Sequence, residues 1–232
     1  MKSLLPFLLL CFTQICFAQK TVYFIPGTGA DGRLFERIQI EQYDTVWLEY
    51  LVPEKQENFD HYINRMAAEI DTSENYSIVG VSLGGMIATE LADRLNPDEV
   101  IVIAGAKQAS ELPDHYHLFR YLPLHRVLGG RTMIWGTKLM QPLFEPMEEQ
   151  QQEVFRSMIS LKSPHFIKSA VRWMINWDRD SYRSDIYHIH GAKDRTLPIK
   201  NVEADYIVEE GGHMITYDRA EEISALLNEV IK

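Results

Sequence analysis

The pentapeptide Gly80-Val81-Ser82-Leu83-Gly84 constrains this chain more than any other stretch of it. It follows the apolar run of residues 76–79, which reads as a buried strand. It precedes Met86, Ile87, Leu91 and Leu95, spaced as one face of a helix that Asn96-Pro97 should stop. Ser82 is therefore expected in a sharp strand–turn–helix corner that pushes its hydroxyl out at the top of a sheet. Glycines two positions either side let strand and helix approach closely. A serine held this way reads as a nucleophile.

The rest of the chain supplies the sheet. Residues 21–25, 46–48, 76–81, 100–104, 186–189 and 206–208 read as strands, and 59–70 and 218–231 as helices. Near-continuous apolar strands alternating with helices predict an α/β fold: a mostly parallel central sheet with helices on both faces. The alternation stops between residues 107 and 180. That span carries Trp135, Trp173, Trp177 and helical pieces at 148–161 and 166–177, and is expected to form a helical cap shaping an apolar pocket.

Residues 1–18 read as a signal peptide. Lys2 gives a positive start, residues 4–17 are largely apolar, and Ala18 suits cleavage before Gln19. An exported chain of residues 19–232 follows, folded as one domain and without a stable membrane anchor. Both cysteines, Cys11 and Cys16, would leave with the leader, which removes disulfides and thiolate metal sites from the expected chemistry. The sequence holds 33 acidic and 23 basic residues, a net charge of −10. An acidic surface without a basic run argues against nucleic acid and anionic membrane as partners.

A serine hydroxyl needs a base to take its proton, and the base needs a carboxylate to orient it. Asp194 follows the strand at 186–189. His213 follows the strand at 206–208 and precedes the final helix. The order Ser82, Asp194, His213 is that of an α/β-hydrolase triad, with Asp185 and Asp205, at strand beginnings, as fallback acids. Acyl transfer also needs backbone donors aimed at the oxyanion. Leu83 N–H is one choice, Thr28 N–H in Pro26-Gly27-Thr28-Gly29 the other, and Gly29 the reserve.

Through residues 24–29, 80–84, 190–194 and 211–213, the chain resembles the α/β-hydrolase superfamily in a small capped version. The likeness covers essentially all of residues 19–232. It implies a serine hydrolase of the carboxylesterase or lipase kind, acting without cofactor or metal on a small-molecule, apolar ester. Its serine, acid and histidine carry over onto Ser82, Asp194 and His213. Pro26-Gly27 stands where the family's first loop usually has His-Gly, and the two edge strands with which the family commonly starts are missing.

Other readings compete. Gly27-Thr28-Gly29-Ala30-Asp31-Gly32 is a literal G-x-G-x-x-G after a strand, with Glu49 near the end of the next, as in a dinucleotide-binding oxidoreductase. Asp31 beside a pyrophosphate and export from the nicotinamide pool weigh against it. His188, His190 and Asp194 could hold zinc, and Asp114-His115-Tyr116-His117 is a weaker set. A binding protein that keeps the fold and turns over negligibly would carry the same motifs.

Overall fold

Runs such as Val100-Ile101-Val102-Ile103 form strands because β-branched side chains fit a pleated surface, and successive residues face opposite sides of it. The computed structural model describes residues 20–232 apart from 123, 145 and 146, so the leader expected at 1–18 lies outside the described residues. The first half alternates β1 (Thr21–Ile25), β2 (Asp44–Trp47), α1 (Phe59–Ala67), β3 (Tyr76–Val81), α2 (Leu83–Leu95) and β4 (Val100–Ile103). Helices α3 (Asp114–Tyr121), α4 (Leu124–Val127), α5 (Gly130–Phe144), α6 (Glu149–Leu161) and α7 (Pro164–Asn176) come next. β5 (Tyr187–Gly191), β6 (Tyr206–Val208), α8 (Ile215–Asp218) and α9 (Ala220–Val230) complete the chain.

The six strands form one sheet in the order β2-β1-β3-β4-β5-β6, and every pairing is parallel. Strand alternation splits the core in two. Tyr23, Ile25, Ile78, Val100 and Val102 pack with α1 and α2 on one face. Val22, Phe24, Val79, Val81, Ile101 and Ile103 pack with Ile223 and Leu227 of α9 on the other. Burying each such side chain contributes roughly 1.5–3 kcal/mol. Parallel pairing also brings the carboxyl ends of all the strands to one edge, and the loops that leave it become neighbours.

The helices α3–α7 sit between β4 and β5, where the alternation breaks in the sequence. Ala109 N–H donates to Arg179 C=O at 2.7 Å and closes the neck of this insertion. Phe166, Ile167, Ala170 and Trp173 tie it to the α1/α2 side of the core. The Trp173 indole donates to Glu57 C=O and the Trp177 indole to the Glu90 carboxylate, both at 2.9 Å.

Several boundaries differ from those the sequence suggests. The second strand starts at Asp44 rather than Val46, because it is an edge strand whose residues are all exposed and offer no apolar run to read. α1 stops at Ala67, where the amides of Ala68 and Ile70 turn back onto the carbonyls of Arg65 and Ala67. The last helix is two pieces, α8 and α9, parted at Arg219 with φ −120°.

The corner between β3 and α2 tolerates no added atom. A Cβ on Gly80 would stand 2.1 Å from Gly84 C=O, and one on Gly84 2.1 Å from Ile25 C=O. The obstacles are backbone, which cannot rotate aside. Gly84→Ala should therefore cost about 3 kcal/mol or more, read as a lower urea midpoint or loss of soluble protein. Gly136→Ala, in α5 with nothing within 4 Å of the new atom, should instead gain about 1 kcal/mol. Equal midpoints for the two variants would contradict this account of the corner.

Candidate active site

Ser82 ends β3 and opens α2 with φ 56° and ψ −117°, a conformation that costs a non-glycine residue roughly 1–3 kcal/mol. Its backbone is held on both sides. Ser82 N–H donates to Ile103 C=O at 3.0 Å, and Ser82 C=O accepts from the amides of Gly85 and Met86 at 2.9 and 3.3 Å. The strain is supported by β4 behind the serine and the first turn of α2 beyond it. The hydroxyl points away from both.

Asp194 lies in the turn after β5. Its Oδ1 accepts the amides of Thr196 and Leu197, both at 2.8 Å, which fixes the carboxylate plane. The next loop is bound to this one: Ala192 N–H donates to Val208 C=O at 2.9 Å and Lys193 N–H to Gly211 C=O at 2.8 Å. That contact carries His213 to Asp194. His213 Nδ1 is 2.7 Å from Asp194 Oδ2, and His213 Nε2 is 3.0 Å from Ser82 Oγ. A proton on Nδ1 satisfies the carboxylate and leaves Nε2 to accept the serine hydroxyl.

The Asp194 side chain is fully buried. Burial alone would raise its pKa, but the His213 charge and hydrogen bond, His190 and the Leu197 amide outweigh that and hold it below the usual carboxylate value. Asp194 is an anion at neutral pH, aimed at one imidazole. The fallback acids lie elsewhere. Asp185 pairs with Arg183, and Asp205 accepts the His188 backbone amide at 2.7 Å, near the opposite ends of β5 and β6.

His188 and His190 do not converge on a metal position with Asp194. His188 Nε2 meets His190 Nδ1 at 3.1 Å, and the outer nitrogens face Glu203 C=O at 3.2 Å and Leu197 C=O at 2.8 Å. His190 thereby holds the residue whose amide caps Asp194, and its Nε2 is also 3.4 Å from Asp194 Oδ2. Its contribution to the acid's setting is not evident from the sequence, where it reads only as one of two alternating strand histidines. Glu54, Glu57 and His61 bring ligand atoms within 4.8 Å of one another. Arg65 and His61 already occupy the Glu57 carboxylate, so this group is an ion-pair network.

The loop after β1 runs beside the serine. A Cβ on Gly27 would be 3.2 Å from Ser82 Cβ. Ala30 N–H closes the turn on Gly27 C=O at 3.0 Å, with Thr28 and Gly29 (φ +84°) at its tip. Leu83 is the first residue of α2, so its amide has no carbonyl partner one helical turn back. The glycine pattern does not open a phosphate-binding helix. A four-residue 3-10 turn, Gly32–Phe35, follows it, and Asp31 caps that turn while pairing with Arg33.

Residues from four elements gather in the apolar cluster that holds Leu83, the residue after Ser82. Ile159 of α6 stands over Gly29, and Met174 of α7 takes a contact from the Thr28 hydroxyl at 3.8 Å. Tyr50 stacks obliquely on Phe166 with ring centres 4.6 Å apart, and its hydroxyl donates to Pro26 C=O. Burial, and then the Asp194 charge, push the phenol of Tyr116 in α3 up. Tyr50 follows an edge strand and Tyr116 sits in a histidine-rich stretch, so neither stands out before folding.

A parallel sheet with such a corner, and an acid and histidine on the loops after β5 and β6, defines a hydrolase of the α/β class. The chain belongs to the alpha/beta hydrolase family, whose model matches residues 22–226. Family membership supports hydrolase chemistry. Among curated proteins, none matches the sequence. Solved structures share the fold at low identity. A lipase-esterase related protein from Clostridium acetobutylicum aligns at TM-score 0.65 and 17% identity over 91% of this chain and 94% of its own. An esterase from Exiguobacterium antarcticum gives 0.64 and 18% over 92% of each. A putative aryl esterase from Burkholderia cenocepacia gives 0.68 and 14% over 92% and 90%.

The buried histidine pair gives stability a pH dependence. Burial, the charge of Lys107 and their mutual repulsion press His188 well below its ordinary pKa, and burial also lowers His190. The unfolded chain takes up these protons as pH falls through about 6.5, while the folded chain does not. Stability is therefore complete above that pH and declines below it. Melting temperature should fall between pH 7.5 and 5, and fall less steeply in His188→Gln. A variant with the wild-type slope would place the responsible protons elsewhere.

Proposed function

We propose that the protein is an exported serine hydrolase that cleaves carboxylic esters with an apolar part, through an acyl-enzyme on Ser82. What carries this reading is the unbroken chain of hydrogen bonds from Ser82 Oγ through His213 to Asp194, at 3.0 and 2.7 Å. A buried carboxylate that stays ionised, an imidazole it orients and a serine in a strained corner make a nucleophile and its base.

His213 Nε2 removes the hydroxyl proton as Ser82 Oγ attacks the ester carbon. The carbonyl oxygen becomes an oxyanion received by the amides of Leu83 and Thr28. Each such donor is worth roughly 10²–10³ in rate. The tetrahedral species collapses, the alcohol departs with the proton from His213, and the acyl group stays on Ser82. Water then attacks the acyl carbon with His213 again as base, and the acid leaves. Asp194 stabilises the imidazolium in both halves. Ile159, Met174, Tyr50 and Phe166 favour an apolar acyl or alcohol group beside the serine.

Ser82→Ala and His213→Ala should each lower kcat on a chromogenic short-chain ester by about 10⁴–10⁶ while the circular dichroism and melting temperature stay close to wild type. Turnover retained in either folded variant would refute the assignment. The leader pattern carries the export part of the proposal. Intact mass of protein recovered outside the cytoplasm should correspond to a chain starting at Gln19, and retention of residues 1–18 would contradict it.

A further inference from the structure

The insertion differs in charge and surface from the body it sits on. Over α3–α7, residues 114–176, the sequence holds eight basic and five acidic side chains, while the rest of the chain holds 15 and 28. The span of α3–α5, residues 114–144, contains four of those cations, Arg120, Arg126, Arg131 and Lys138, against the single acid Asp114 at its start. None of the eight lies within ion-pair distance of a carboxylate among the described residues. Arg120, Arg172, Lys138 and Lys168 donate to carbonyl or hydroxyl oxygens, which leave their charge uncompensated. In the body, Lys20, Arg33, Arg65, Arg94, Arg179, Arg183 and Lys193 each pair with an acid.

The same face is apolar. Helices α3, α4 and α5 all pack against α7 and leave their outer sides uncovered. Among the described residues, nine of the thirteen large hydrophobic side chains that stand exposed fall between residues 118 and 161. Tyr121 and Val127 are 83% and 81% exposed and Trp135 64%, with Leu118 and Leu139 over half exposed. Arg126 and Arg131 are exposed among them. Aliphatic, Trp and Tyr side chains interleaved with unpaired Arg and Lys match the interface of an anionic bilayer. There apolar groups enter the acyl boundary and cations meet the headgroups.

From this combination we infer that the outer face of α3–α5 docks reversibly on an anionic lipid surface. The charge distribution orients the contact, because the acidic body is repelled by the surface that attracts the insertion. It also disfavours a symmetric dimer through this face, which would set unneutralised cations against their own copies. The negative charge of the whole chain conceals the site, since the sum is set by the body. This contact is a peripheral one and does not depend on the hydrolytic reading.

Co-sedimentation with vesicles tests it without any turnover. The chain from residue 19 should pellet with vesicles of phosphatidylcholine mixed equally with phosphatidylglycerol, and not with phosphatidylcholine alone. Added salt should release it. Each cation near the surface strengthens such binding roughly fivefold, so Arg126→Glu with Arg131→Glu should weaken it at least tenfold. Trp135→Ser with Leu139→Ser should weaken it similarly. Both double variants should keep wild-type circular dichroism and turnover of a soluble short-chain ester. If the apolar pair fails to fold, the charge pair, confined to exposed side chains, still decides. Absence of binding to anionic vesicles at low salt, equal binding to neutral ones, or unchanged binding by the folded charge variant overturns the inference. So does self-association in light scattering that Trp135→Ser with Leu139→Ser abolishes, which would assign the face to a second copy.

Discussion

Backbone meets backbone at the corner between β3 and α2, and the rest of the site follows from that contact. Gly80 and Gly84 bring the strand, the helix and the end of β1 closer than any Cβ allows. The approach forces Ser82 to φ 56° and turns its hydroxyl out over the sheet edge. It also draws the loop at Gly27 against the serine. One packing constraint thus exposes the serine hydroxyl and seats the loop after β1 beside it.

The sheet supplies the remaining partners by topology. Because every strand pairing is parallel, the loops after β1, β3, β5 and β6 leave the same edge. Hydrogen bonds between the loops after β5 and β6 then set Asp194 and His213 to within about a hydrogen-bond length. Burial raises the stakes of this arrangement. An ionised carboxylate with no water must be held by its neighbours, and Asp194 is held by two amides, His213 and the nearby His190. Burial keeps His190, one of those neighbours, and His188 beside it from taking up protons, which ties stability to pH beneath the site.

What could be read before folding was local chemistry with strong patterning. The apolar strands at β1, β3, β4 and β6 have boundaries set by near-continuous β-branched or aromatic runs, and glycines at 80 and 84 have only one economical use. Asp194 and His213 were legible because each follows a strand on a short glycine-bearing turn. β2 was displaced because its exposed edge lacks a run, and α5 was missed because Gly130, Gly136 and Pro142 interrupt its periodicity. The apolar neighbours Tyr50, Tyr116, Ile159 and Met174 come from loops and helices far apart in sequence, and no local pattern links them. Net charge misled in a different way, since a chain-wide sum averages over an acidic body and a basic insertion.

The central claim is that Ser82 attacks because His213, steadied by a buried anion, takes its proton. Mass spectrometry after reaction with a fluorophosphonate reads this directly. The account predicts one covalent adduct, on the peptide containing Ser82, formed far more slowly once His213 is replaced by alanine. An adduct on another residue, or none on a folded protein, would contradict it.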